Sequence, residues 1–313
     1  MPEARKTARL NKTSGEIFAS DFAEGSFWWE AMPPRSWANT APRGSADVMI
    51  VGAGVTGLNA AIELARGGKK VAVFDAGDPG LGGSSRNTGF LGRFLKKSFT
   101  DLVKSYGLEK ATAYYLELYQ ALNVSMREVI QREEIDCNFD LSGRIVLARS
   151  PSQLQGAADE FTLRAKYLGE NIKVYDREGL RQEIRCSDVF CGGVYIPDMA
   201  SIHPGKYVAG LLAAAEKLGV SIYGNARVEK ITRRDGKYDV ETSIGSVNAK
   251  DVIIATNGYS GKEMQWFAKR LVPFQGFVIA TQELDPDRLR KLIPGDRRFT
   301  HCHFDTMAIR LSP

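Results

Sequence analysis

Three glycines and one acid define the chemistry that this sequence can support. Gly52, Gly54 and Gly57 stand in the G-x-G-x-x-G spacing, with Val55 and Thr56 between the last two. One glycine permits a tight strand-to-helix turn, one lets the backbone approach a pyrophosphate, and one lets helix and strand pack closely. A helix that starts there points its N–H groups at phosphate oxygens. Asp75, followed by Ala76, lies about 20 residues further on, where a carboxylate accepts ribose hydroxyls. The alternative is an ordinary βαβ unit that holds no nucleotide. The elements around these residues favour the dinucleotide. Residues 48–51 (VMIV) form an apolar run suited to a strand buried on both faces. Ala61, Leu64 and Ala65 give the following helix a small, apolar side, Gly67-Gly68 closes it, and residues 71–74 form a second strand that ends at Asp75.

A second candidate is the loop that follows, 77–89, which ends in Gly83-Ser84-Ser85-Arg86-Asn87-Thr88-Gly89. So long and small a loop is unusual beside a buried sheet. Its Gly, Ser and Asn residues can wrap a ligand and offer many N–H and hydroxyl donors; a plain surface turn is the alternative. A third is the run 251–255, an apolar strand that breaks into Thr256-Asn257-Gly258 after Ala255. Open α/β sheets bind ligands at such carboxyl ends.

The rest of the chain must position these groups. Residues 1–46 read as an extended arm whose aromatics Phe27, Trp28 and Trp29 pack onto the body. The apolar spacing predicts a long or kinked helix over 108–133 and a helix from 151, capped by Ser150, Pro151 and Gln153. It predicts another from Pro204 to a stop at Gly219, with His203 in a structural place at its start. Strands are expected over 139–148 with a turn at Gly143, and over 191–196. A small ribbon is expected from 220–223, 226–232, 237–242 and 246–249, and long strands over 274–282 and 304–311, with a short helix at 288–292 between them.

The 313 residues suffice for two domains, and 43% hydrophobic with 25% charged residues is ordinary for a folded protein with a substantial core. A net charge of +5, scattered along the chain, gives no nucleic-acid track. Four cysteines without C-x-x-C spacing indicate neither a disulfide framework nor a metal site. The N-terminus lacks the apolar core of a signal peptide, and no stretch reaches the ~18 apolar residues of a spanning helix. A cytoplasmic protein is the expectation.

The glycine turn, the acid ending the second strand and the GGSSRNTG loop together resemble the FAD-dependent oxidases of the D-amino-acid oxidase superfamily. Within it the chain is most similar to the sarcosine, glycine and gamma-glutamylputrescine oxidase branch, from about Phe27 onward. The resemblance implies an α/β fold: a Rossmann-like FAD-binding domain (46–100 and 200–260) and an antiparallel-sheet, α+β substrate domain (101–199 and 261–313), after an arm over 1–45. It implies that Gly83, Ser84, Ser85, Arg86, Asn87, Thr88 and Gly89 lie against the pyrophosphate and isoalloxazine. It also implies that the backbone of Val228 meets the adenine and that Ala255, Thr256, Asn257 and Gly258 close over the dinucleotide. Some relatives carry a histidine in the loop that links to flavin; Arg86 in that region implies non-covalent FAD. The implied reaction passes a hydride from an amine or amino acid to flavin N5, leaving an imine that hydrolyses, with oxygen or a quinone as electron acceptor. No acid–base catalyst is singled out. Arg93, Lys96 and Arg310 are the basic residues expected near an anionic substrate. Similar proteins continue past the equivalent of residue 313 with further flavin-contacting strands, so this chain on its own is expected to be a poor enzyme. A non-catalytic flavin-binding fragment and a direct NAD enzyme are the alternatives.

Overall fold

Met49 and Ile50 are wholly removed from solvent, and Val48 and Val51 nearly so. A run buried on both faces belongs in the middle of a covered parallel sheet. The computed structural model describes residues 25–313 apart from 39, 43, 93, 94, 96, 186, 187, 198, 275, 296 and 302–307. Its strands are β1 (Ser45–Val51), β2 (Val71–Phe74), β3 (Phe90–Leu91), β4 (Arg144–Ala148), β5 (Lys173–Asp176), β6 (Gly192–Ile196) and β7 (Ala200–Ser201). They continue as β8 (Ser221–Tyr223), β9 (Val228–Arg234), β10 (Lys237–Thr242), β11 (Gly245–Ile254), β12 (Arg298–His301) and β13 (Ala308–Ile309). The α-helices are α1 (Trp28–Ala31), α2 (Val55–Arg66), α3 (Phe99–Tyr106), α4 (Leu108–Tyr119) and α5 (Arg127–Arg132). After these come α6 (Pro151–Leu168), α7 (Arg177–Arg181), α8 (Pro204–Lys217), α9 (Gln265–Ala268) and α10 (Pro286–Leu292).

The first sheet runs β8-β2-β1-β11-β10-β9. Its first four strands are parallel, and β11, β10 and β9 form an antiparallel meander. Helices α2 and α8 cover one face through Leu58, Ala61, Ile62, Leu211 and Ala215. The run 220–223, expected in a ribbon with 226–232, lies instead at the far edge, parallel to β2. The expected strands 246–249 and 251–255 are one strand, β11, which pairs with β10 along its first half and with β1 from Asn248 to its end at Ile254.

The second sheet runs β13-β12-β4-β6-β5. It is mixed, because β12 pairs parallel to β4 while the other pairings are antiparallel. The long strand expected over 274–282 is absent among the described residues: those of 271–285 carry no regular structure, and Val272, Phe274, Phe277 and Ile279 are 84–95% exposed. Strand composition there finds no neighbouring strand to pair with, and an isolated strand has no ladder to hold it. The expectation over 304–311 falls partly outside the described residues; its end forms β13.

The helix signals fare better. Ser150 caps α6 by accepting from the Gln153 N–H at 3.3 Å, Pro151 opens the helix, and Gly169 ends it in the left-handed region at φ 67°. The Gln153 side chain reaches back to the N–H of Arg149, one residue before the cap. The expected helix over 108–133 is α4 and α5 joined by a π-helical turn over 120–126. Tyr115 is core, as expected of that stripe, whereas Tyr114 and Tyr119 are exposed. Helix α3 had no counterpart among the expectations.

Candidate functional site

The glycine turn lies where the C-terminal ends of β1 and β11 meet the N-terminus of α2. Gly52 adopts φ +105°, and a Cβ there would stand 2.6 Å from the Ala255 carbonyl oxygen. A Cβ on Gly57 would stand 2.0 Å from the Gly52 carbonyl oxygen, so only glycine lets α2 sit this close to β1. Gly54, Val55 and Thr56 remain accessible. The first N–H groups of a helix have no intrahelical acceptor; here that of Val55 is met by a side chain from the loop 83–89, Ser84 Oγ at 3.1 Å.

Asp75 ends β2 as expected, but it also does structural work that the sequence did not announce. Its Oδ2 accepts from the Ala53 N–H at 2.8 Å and its Oδ1 from the Gly77 N–H at 3.0 Å. The acid thus braces both the glycine turn and the start of the next loop. A carboxylate has about four acceptor sites, so two remain for hydroxyls. Ala76 beside it is exposed.

The loop 83–89 is held by its own polar side chains and by the two ends of the described chain. Ser84 Oγ accepts from the Val55 N–H at 3.1 Å, which puts the loop against the start of α2. Ser85 is buried; its hydroxyl donates to the Gly80 carbonyl at 2.6 Å and accepts from Trp29 Nε1 at 3.0 Å. Trp28 Nε1 donates to the Asn87 carbonyl at 2.8 Å. Asn87 folds the loop on itself, donating to the carbonyls of Gly83 and Ser84 and accepting from the Gly89 N–H. The aromatic arm therefore packs onto the body, and specifically onto this loop. Arg86 is exposed and reaches Tyr259 Oη at 3.4 Å.

Arg310 approaches from the other side. Its guanidinium donates to the carbonyls of Thr88 at 3.2 Å and Ile202 at 2.7 Å, and lies 5.2 Å from the Trp28 ring. Expected beside an anionic substrate, it holds the backbone of the loop and of the residue before His203. Arg93 and Lys96 lie outside the described residues. His203 caps α8 by accepting from the Lys206 N–H at Nδ1, 3.2 Å away, and sits edge-on to Trp28. That is the structural place expected for it. Burial, followed by the nearby Lys206 and Arg310 charges, holds its pKa below the ordinary histidine value.

The third segment closes the site. Ala255 donates its N–H to the Val51 carbonyl, Thr256 shares a 2.6 Å hydrogen bond with Ser260, and Asn257 adopts φ +48° to start a single 3-10 turn with Gly258 and Tyr259. Tyr259, unremarked in the sequence, lies across Gly82 and meets Arg86. Its only signal was its place directly after the Thr256–Gly258 break. Val228 starts β9, is buried, and packs with Ala226, whose N–H donates to the Asp75 carbonyl. The glycine turn, Asp75 and the 83–89 and 255–258 segments thus converge at the carboxyl ends of β1, β2 and β11, in the middle of the first sheet. Val228 joins them through Ala226.

Gamma-glutamylputrescine oxidoreductase of Escherichia coli is 31% identical over 259 residues, which cover 82% of this chain and 60% of that protein. The probable oxidoreductase OrdL of Haemophilus influenzae is 30% identical over 76% of this chain and 56% of its own length. Glycine oxidase from Geobacillus kaustophilus superposes with a TM-score of 0.58 at 26% identity, over 69% of this chain and 56% of that one. The chain thus spans less than two thirds of the length of these relatives. Residues 47–311 match the family described as DAO, FAD dependent oxidoreductase, and the chain belongs to that family.

Proposed function

We propose that this chain binds FAD non-covalently and takes part in the oxidation of an amine or amino acid. The observation that carries the reading is the glycine turn at Gly52–Gly57, with the N-terminus of α2 on one side and the donor-rich loop 83–89, which touches it through Ser84, on the other. Gly52, Gly54, Val55, Thr56 and Gly57 would hold the pyrophosphate, and Asp75 with Ala76 the ribose. Val228 would lie by the adenine, and residues 83–89 and 255–258 would enclose the rest. The fit is physical: backbone N–H groups and a helix dipole suit phosphate charge, and the one side chain lying against the Gly54–Val55 backbone is the small hydroxyl of Ser84. Residues 46–100 and 200–260 would make the FAD-binding domain, and 101–199 with 261–313 the substrate domain.

What the flavin supplies when bound is a hydride acceptor at N5, which turns the substrate C–N bond into an imine that water hydrolyses. The chain's own task is to orient and shield. The Asn87 and Arg310 hydrogen bonds fix the loop backbone, and Trp28 and Trp29 cover its outer side. Support for an amine substrate comes from the relatives named above. Anaerobic mixing with gamma-glutamylputrescine, glycine and sarcosine, read as bleaching of the flavin bands, tests it. Bleaching by at least one is expected; flavin that stays oxidised with every amine refutes the reading. Oxygen consumption then separates oxygen from a quinone as electron acceptor. Acid precipitation should release the yellow cofactor to the supernatant, and colour retained in the pellet refutes non-covalent binding.

A further inference from the structure

The stretch between α9 and α10 is tied down at both ends and bare in the middle. Phe267 of α9 packs against the cluster that holds Met49 and Phe74. At the other end Asp285 Oδ1 caps α10, accepting from the N–H groups of Asp287 and Arg288 at 3.0 Å. Between them Val272, Phe274, Phe277 and Ile279 are almost wholly exposed. Among the described residues, no backbone N–H or carbonyl of 272–284 bonds to other backbone. The two phenylalanines present about 150–250 Å² each. With Val272 and Ile279 the surface passes the few hundred Å² of apolar patch that a monomeric soluble chain ordinarily leaves open. Aromatic and β-branched residues on an unpaired backbone make a template for another strand.

The charges select which strand. The stretch is basic at its start, Lys269-Arg270, uncharged over 271–282, and acidic at its end, Glu283 and Asp285. All four side chains are exposed. Beside an identical copy running the same way, each charge would face its like. Beside one running the opposite way, the basic start meets the acidic end twice, once at each end of the ribbon. Gly276 is the midpoint, since Lys269 and Glu283 stand seven residues to either side of it. A Cβ there would meet nothing within 4 Å, so a second backbone can approach. In that register Phe274 lies opposite Val278. With the two Gly276 residues exchanging hydrogen bonds, Pro273 falls at a position whose missing N–H would have faced outward.

We propose that residues 269–285 are an interface with a second copy of this chain, the two segments pairing antiparallel about Gly276. A two-fold contact of this kind closes on itself, so association stops at two copies. A single ladder and its flanking side chains hold the pair, so the dimer is weak and comes apart on dilution. Each copy then stands alone, and the segment adds little to the stability of its own fold. The inference goes beyond the flavin reading and does not depend on it.

The test is sedimentation velocity of the whole chain from micromolar to hundreds of micromolar. Its mass should rise from one copy to two and go no further. Phe274→Asp should stay at one copy throughout, with far-UV circular dichroism unchanged. Lys269→Glu alone and Glu283→Lys alone should each weaken association about tenfold, because like charges then meet at both ends. Lys269→Glu with Glu283→Lys restores the match and should associate as wild type does. A chain that stays single at every concentration, growth beyond two copies, a Phe274→Asp variant that still pairs, single charge variants that pair as wild type does, or a double variant as weak as either single one would each overturn the proposal. A chain that stays single yet sediments with phosphatidylglycerol vesicles would overturn it too, and would give the surface to a bilayer.

Discussion

Around β1 the interior is apolar and tolerates nothing larger than a hydrogen at two positions, Gly52 and Gly57. Around β4 and α6 it holds arginines, two of them matched to Glu170 and Asp140. The first sheet's order rests on shape, the second's partly on charge balance. A close-packed apolar layer fails when volume changes, and an ionic layer fails when one partner is lost. The same substitution chemistry should therefore have different consequences in the two places.

The largest effect is expected from Glu170→Ala. Both members of the Arg164–Glu170 pair are almost wholly buried, so the variant strands a cation and should lose about 3–5 kcal/mol in urea unfolding. Replacing both, as Arg164→Met with Glu170→Leu, should recover most of that loss; a double variant as weak as the single one would contradict the charge-balance account. Next comes Gly57→Ala, where the new methyl meets backbone 2.0 Å away and should cost about 3 kcal/mol through displacement of α2. A cost below that of an exposed helix substitution would break the contrast from the other side.

A smaller, pH-dependent effect is expected at His203, which lies between the two regions. Its folded pKa is depressed, so the folded state favours the neutral ring. The stability this contributes is present above the unfolded value near 6.5 and is lost as pH falls below it toward the folded pKa. His203→Asn keeps an N-cap acceptor and removes the titration. Between pH 8 and pH 5.5, wild type should lose more Tm than the variant; equal losses would show that His203 does not titrate in this window. The smallest effect belongs to Phe277→Ser, 84% exposed in the segment without regular structure, where the change should stay within about 0.5 kcal/mol. A larger loss would mean that this segment is packed against something in solution.

What the sequence made legible follows the same divide. The βαβ unit, Asp75 and the caps at Ser150 and His203 are local patterns, and each matches the structure within a residue or two. The ladder partners were not local. Nothing near residues 220–223 says that they pair with β2, and nothing in 274–282 says that a strand-like composition will go without a neighbour. Arg310 is the sharpest case. Its charge suggested a substrate, but its neighbours, Thr88 and Ile202, lie far away in sequence. Trp28 and Trp29 were read as packing onto the body; which atoms they would meet could not be read from their own neighbourhood.

The tethering of the loop 83–89 has a consequence in time. Trp28 joins it across 59 residues of chain and Arg310 across 222, whereas the β1–β2 register closes through a single helix. Contacts of long sequence separation form late, because they wait for the closure of everything between them. The loop is thus among the last parts of the fold to set and, held mainly by side-chain hydrogen bonds rather than by a strand ladder, among the first to open from the native state. In hydrogen exchange the Gly89 amide should trade its proton well before those of Ile50 and Val73, so the chain can finish its nucleotide fold while the cradle's outer wall is still ajar.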